Sequence, residues 1–297
     1  MNSLRIVKLH FDVIVVKDTN LPGFLGNTIR GALGQMLIRS CCSKMHPDCI
    51  SCDNNTQCVY PMVFKGIHYP SGFDSIPNPF VLEVPTDNKR KYKKGDSWSF
   101  QISLFGKATF WTKVIIGTVK KLFSAEFAHT KDCLQLERVS DFFSQEVLFE
   151  NESFCGEPKA AIWSDQHGQT IEKINEIHVC FLSPTQILRN KVLVKNLDFA
   201  TFIDNLFFRI SSIIDIYEEK EFVLPYGLCY RKPYIVAETD LKTLRISQER
   251  HPVDGFVGNI KYVGDLTRYM PYIDLGSILH IGKQTTRGCG QYGFHIF

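Results

Sequence analysis

The residues whose types and spacing could do chemistry are concentrated in two places. Five of the ten cysteines lie between positions 41 and 58. Four of them, Cys42, Cys49, Cys52 and Cys58, follow the spacing C-x6-C-x2-C-x5-C in a polar segment where Pro47 and Asp48 favour a tight turn. Four thiolates within reach of one short loop suit tetrahedral zinc, with the Cys-x2-Cys pair as a knuckle. Cys41 could replace Cys42, and His46 could replace one thiol; the rival reading is unligated or redox-active cysteines. A closed four-ligand site is structural, so zinc here would stiffen an insert and leave no open position for water. The other five cysteines (Cys133, Cys155, Cys180, Cys229 and Cys289) are isolated and read as buried thiols.

The second concentration is the stretch 276–294, GSILHIGKQTTRGCGQYGF, where His280, Lys283 and Arg287 stand among five glycines. Glycine allows a backbone to come close to a phosphate, and Lys and Arg neutralise its charge. The pattern is neither a Walker motif nor a dinucleotide-binding fingerprint, and as a bare pattern it fits a set of tight turns equally well. A basic run, Lys89, Arg90, Lys91, Lys93 and Lys94, surrounds Tyr92. Such a run either grips an RNA backbone or forms a solvated hairpin turn.

These residues need a frame. Val7, Leu9, Phe11, Val13 and Val15 alternate with polar residues, the period of a half-buried strand. A helix-spaced segment follows, with Phe24, Ile29, Ala32, Leu33, Met36 and Leu37 apolar and with Gly26, Gly31 and Gly34 implying close packing against a backbone or a ligand. Residues 97–104 alternate as a strand. Phe110, Trp111, Val114, Ile115, Val119 and Leu122 then predict one apolar helix face, and 132–139 a further strand. An additional strand is expected near 80–85. The polar stretch 150–172 is the domain boundary, giving domains 1–165, with the cysteine-rich zinc insert at 41–58, and 166–297. In the second half, Ile177, Val179 and Phe181 mark a strand. Phe199 to Tyr217 is an amphipathic core helix with Asp198 as its cap, and eight of the twenty glycines fall within 255–293. Both halves therefore read as strand, helix, strands, which predicts an α+β fold of two tandem ferredoxin-like (RRM-like) domains, an architecture often used to present RNA-binding surfaces.

Composition narrows the field. The 297 residues are 44% hydrophobic and 22% charged, ordinary values for a folded globular chain, which excludes disordered and fibrous classes. The net charge of +3 is too mild to argue nucleic-acid binding from bulk charge, so any basic surface must be local. No apolar run approaches a membrane span and the N-terminal residues do not read as a signal peptide, so a cytoplasmic protein without membrane contact is expected.

Several segments together, PGFLGNTIRGALGQML, the cysteine cluster ending in CVYPMVF, KKGDSWSFQISLFGKA, GFVGNIKYVGDL and LGSILHIGKQTTRGCGQYGF, resemble the CRISPR-associated pre-crRNA-processing endoribonucleases of the RAMP superfamily. The resemblance runs from about 20 to 124 and from about 174 to 294; its most specific parts are RGALG in the first helix and the C-terminal glycine-rich loop. It implies metal-independent cleavage within a CRISPR repeat by attack of a ribose 2′-hydroxyl on its own 3′ phosphate. The expected products are 2′,3′-cyclic phosphate and 5′-hydroxyl ends. The partners implied are the repeat RNA and crRNA, with subunits of a CRISPR effector complex and a second copy in a homodimer as further candidates. Such chemistry needs proton transfer at two oxygens and cations for the phosphorane charge.

The family's catalytic histidine follows the first helix, which points to His46; His280, within the glycine loop, is the alternative acid or base. Lys283 and Arg287 match the loop's basic positions and would stabilise phosphate, with Arg30 of the first helix joining them. Some relatives also place a tyrosine near the active-site helix, and none occurs here between Met1 and Val59. No catalytic metal is implied. The rival function is a non-catalytic RAMP subunit whose glycine loop holds a guide RNA.

Overall fold

The computed structural model describes residues 1–42, 48–65, 76–128, 130–166, 172–189, 192–194, 196–224, 228, 235–246 and 252–297. They form two compact units, Arg5–Ala161, and Met1–Leu4 together with Ile162–Phe297. The division falls inside the polar stretch 150–172, ahead of the expected point after residue 165, and that stretch carries the short strands Ser153–Phe154 and Ala161–Ser164. The first four residues join the second unit because the Asn2 side chain donates to Asp165 Oδ2 (2.7 Å) and to the Val223 carbonyl (2.8 Å), and accepts from the Val223 amide (2.9 Å).

In the first unit the chain runs β1 (Ser3–Val15), α1 (Gly26–Cys41), β2 (Phe80–Glu83), β3 (Ser97–Phe105), α2 (Thr112–Ser124), β4 (Leu134–Asp141) and β5 (Val147–Glu150). The antiparallel sheet is ordered β5-β4-β1-β3-β2. Taking β1 to β4 alone, the order 4-1-3-2 with two intervening helices is the ferredoxin-like arrangement. Phe11 stacks on its cross-strand partner Phe100 at 4.8 Å, and Ile115, Ile116, Val119, Leu122 and Phe123 of α2 are buried. The expected α2 face is corrected at its start: residues Gly106–Trp111 form a 3-10 helix, whose three residues per turn rotate the phase. Phe110 is consequently 73% exposed instead of lying in the core. Among the helix-1 glycines, Gly34 does mark a close approach, since a Cβ there would press on the Phe64 ring at 3.2 Å, whereas a Cβ at Gly31 would meet open space.

The second unit repeats the pattern with β6 (Glu176–Thr185), α3 (Phe199–Tyr217), β7 (Ile235–Ile246), β8 (Val253–Val263), α4 (Met270–Leu279) and β9 (Tyr292–Ile296). Its sheet order is β7-β8-β6-β9, again 4-1-3-2 and antiparallel throughout. The Asp198 carboxylate caps α3 by accepting from the Thr201 amide at 2.7 Å, as the sequence indicates. Phe181, Phe202, Tyr262 and Tyr292 form an aromatic core between the helices and the sheet. Both units are therefore ferredoxin-like, in tandem. Among the described residues, no helix is long and apolar enough to cross a membrane.

Candidate nucleic-acid interface

The glycine-rich segment connects α4 to β9 and is pinned by backbone. Helix α4 ends where His280 takes φ +57°, and Gly282, Gln284, Gly288 and Gly290 also adopt positive φ. Four bonds hold this path: Ile281 N to Gly290 O (3.0 Å), Lys283 N to Gln186 O (2.9 Å), Gly290 N to Pro184 O (3.0 Å), and Gln291 N to Ser183 Oγ (3.0 Å). A Cβ at Gly282 would land on the Gln186 carbonyl oxygen, and one at Gly290 on that of Ile281. The close approach these two glycines permit is thus to the protein's own chain, which makes the loop a rigid mount.

Three cations surround that mount. Lys283 is exposed and Arg287 half-buried, and neither has a carboxylate partner among the described residues. Arg209 of α3 is buried; its Nε donates to the Leu279 carbonyl (3.3 Å) and its Nη2 to Thr285 Oγ1 (3.0 Å). Burial pulls its pKa down, yet a guanidinium keeps its charge at neutral pH. A positive charge therefore sits beneath the loop as well as on it.

His280 is 0% exposed, and its Nδ1 lies 3.0 Å from the Cys289 carbonyl oxygen. The neighbouring Cys289 thiol is enclosed, and burial pushes it up to about 12.

In the other unit, α1 leads into the cysteines. Cys41 Sγ and Cys58 Sγ are 4.0 Å apart, close to the edge of about 3.8 Å that two thiolates span on a zinc held at 2.3 Å in a tetrahedron. Burial, and then the adjacent Cys58 thiol, push Cys41 up to about 12. Burial likewise raises Cys49, which also feels Cys58, Cys42 and Cys52. Among the described residues no three Cys, His, Asp or Glu side chains form a group that could hold a metal ion. His46 lies outside the described residues. Tyr60 stands beside this cluster and feels Cys49, Arg30 and Cys41, while its ring stacks on Phe64 at 5.8 Å. Arg30 in turn lies over Phe64, 5.6 Å from the ring centre. Tyr60 follows the last cysteine of the cluster by two residues and lies near Arg30 of α1.

The basic run forms one side of a small ribbon in which Thr19–Asn20 pairs with Lys91–Tyr92. Tyr92 is buried, and Lys89 is held by Asp96 at 2.9 Å and lies over the Tyr92 ring. Arg90, Lys91, Lys93 and Lys94 are exposed and form no ion pair among the described residues. The structure thus places Lys283, Arg287 and His280 on one loop of the second unit, and Arg30, the cysteines and the basic ribbon in the first.

Comparison with known proteins finds two family models along the chain. The model of the CRISPR-associated endoribonuclease Cas6 matches residues 179–292, a span that contains the whole pinned loop, and a family model described as an N-terminal domain matches residues 4–166. The Cas6 match covers 114 of the 297 residues and the N-terminal-domain match 163 of them. A product complex of a Cas6 from Thermus thermophilus has a TM-score of 0.60 at 12% identity, over 98% of this chain and 100% of that one. The Cas6-bearing chain of a partial Cas6-RT-Cas1–Cas2 complex gives 0.59 at 10% identity, over 99% of this chain and 46% of that one. At such identities the likeness shows the fold, the tandem ferredoxin-like arrangement of Cas6 and RAMP proteins. An uncharacterized protein of Archaeoglobus fulgidus is 25% identical over 168 residues, covering 56% of this chain and 57% of that protein. The chain thus spans about half the length of that protein and of the matched chain of the Cas6-RT-Cas1–Cas2 complex.

Proposed function

We propose that this chain cleaves CRISPR repeat RNA to release guide RNAs. The observation that carries the reading is the Cas6 match over 179–292, which contains the pinned glycine loop, where Lys283 and Arg287 have no carboxylate partner among the described residues. The reaction is a transesterification without metal: a ribose 2′-oxygen loses its proton, bonds to the adjacent 3′ phosphorus, and the 5′ oxygen leaves and takes up a proton. The products carry 2′,3′-cyclic phosphate and 5′-hydroxyl ends. Lys283 and Arg287 neutralise the charge that builds on the phosphorane oxygens, an electrostatic task that fixed cations on a rigid backbone perform well.

His46 is the proton-transfer residue in this reading. His280 is fully enclosed and bonded to the loop's own backbone, which supports a positioning role for it in place of proton transfer. Arg30 and the exposed lysines of the ribbon hold RNA phosphates. The cysteines hold structural zinc, and the 4.0 Å approach of Cys41 to Cys58 favours Cys41 over Cys42 as the ligand from the end of α1. The zinc would fix the insert that carries His46 and contributes no reaction step.

The test is cleavage of a labelled cognate repeat RNA in EDTA with the product ends identified. Cyclic phosphate ends without added metal are expected, as is their loss in His46→Ala with RNA binding retained. Tight binding without cleavage would overturn the enzymatic reading in favour of a guide-holding subunit, and cleavage that requires added divalent metal would overturn the mechanism.

A further inference from the structure

The sheet of the second unit has one face packed on α3 and α4, and its other face carries a row of basic side chains that the glycine loop does not use. His178 on β6 is the register partner of Lys261 on β8 and of His295 on β9. Side chains at directly opposed positions of one face sit about 4.5–5.5 Å apart, so three basic groups stand abreast across three strands. One carboxylate serves two of them. Glu176 Oε1 accepts from Lys261 Nζ at 2.8 Å and from His178 Nε2 at 2.9 Å. His295 is exposed and has no ion-pair partner among the described residues.

The surroundings of this row suit a flexible polyanion with flat bases. The Phe297 ring lies 4.3 Å from the His178 ring centre and is 70% exposed, a stacking surface at the edge of the row. The next row on the same face is Asn259, Cys180 and Gly293, and a Cβ at Gly293 would meet nothing within 4 Å, so the face has a low floor beside the basic row. Beyond it Leu182 is 46% exposed. Charge also sets a direction: Glu238 and Asp240 of β7 stand opposite Lys261 and Asn259, so the β7 side repels an anion and the β6–β9 side attracts it.

We infer that this face binds a single-stranded stretch of RNA, with phosphates on Lys261, His178 and His295 and a base stacked against Phe297. The inference rests on the RNA-processing reading for the class of ligand and adds a second contact surface, separate from the glycine loop, for the unpaired part of the transcript. Aromatic stacking and cationic grip together are the usual means of holding single strands without sequence preference.

The experiment uses the full chain and oligouridylate bearing a photoactivatable 4-thiouridine, with crosslinked peptides mapped by mass spectrometry, alongside the affinity of the same oligomer for the Lys261→Gln, His295→Gln double variant. Crosslinks within 176–182, 257–263 and 293–297, and an affinity about tenfold weaker in the variant, are expected. Crosslinks confined to other segments, an unchanged affinity, equal preference for a blunt RNA duplex, or no binding of the oligomer by the wild-type chain would each overturn the inference. The repeat-cleavage assay stands apart from these outcomes. Cleavage of the repeat with no crosslink on this face removes the second surface alone, and crosslinks here without cleavage remove the enzymatic reading alone.

Discussion

The Lys8 ammonium and the Glu83 carboxylate, from β1 and β2, lie 2.7 Å apart with their side chains only 9% and 12% exposed. The Phe142 ring adds a cation–π contact to the same ammonium at 4.2 Å. An enclosed pair of this kind binds each charge to the other, because neither can be solvated alone. Glu83→Gln strands the lysine charge and should destabilise the first unit by about 3–5 kcal/mol. The paired replacement Lys8→Met with Glu83→Leu should cost far less. Urea titration of the three proteins checks this, and equal losses in the single and double variants would refute it.

Gly290→Ala should lower stability and RNA affinity together. The left-handed backbone at φ +74° alone costs an alanine about 1–2 kcal/mol, and its Cβ would be driven into the Ile281 carbonyl. The measurements are the thermal midpoint and binding of the repeat; an unchanged midpoint means the loop is not braced as described.

Cys289 should resist alkylation in the native protein at a pH where an ordinary thiol has ionised. Its thiol is raised from 9.0 to about 12 by burial, so the folded state keeps a proton that the unfolded chain gives up. The stability this group contributes is present below pH 9 and is lost as the pH climbs towards 12. Iodoacetamide labelling followed by mass spectrometry reads the site directly, and rapid native modification at pH 9 would contradict the enclosure.

Metal content distinguishes the two cysteines at the end of α1. The purified wild-type protein should carry about one zinc ion per chain. Cys41→Ser should lose most of it and Cys42→Ser should keep it, as read by elemental analysis. The reverse pattern would restore the C-x6-C spacing as the ligand set.

The ferredoxin-like order was legible wherever a strand or helix had one wet and one dry face. Strand β1, strand β3 and helix α3 with Asp198 all announce themselves that way. Strand β7 does not: VAETDLKTLRI is exposed along most of its length and is held by its hydrogen bonds to β8, so no hydrophobic period marks it. Phe110 misled because a 3-10 turn precedes α2 and shifts the helical phase. The loop's glycines were visible, but whether they meet a ligand or a carbonyl depends on Gln186 and Ile281, which only folding brings near. The row of His178, Lys261 and His295 was invisible for the same reason, since register assembles it from three strands.

Strand β6 ends at Thr185, the carbonyls of Pro184 and Gln186 on either side of that residue fasten the glycine loop, and the strand's flank pairs with β9. Everything between must be made before that fastening can occur. Contacts so distant along the chain form slowly, because the closure entropy of a long segment precedes any reward. A polypeptide still emerging from the ribosome and stopped short of residue 290 therefore has its cations but no brace for them. Any hold on RNA at this loop therefore requires the chain to have reached residue 290, and a fragment ending before it should lose that hold while keeping the contacts its folded first unit makes.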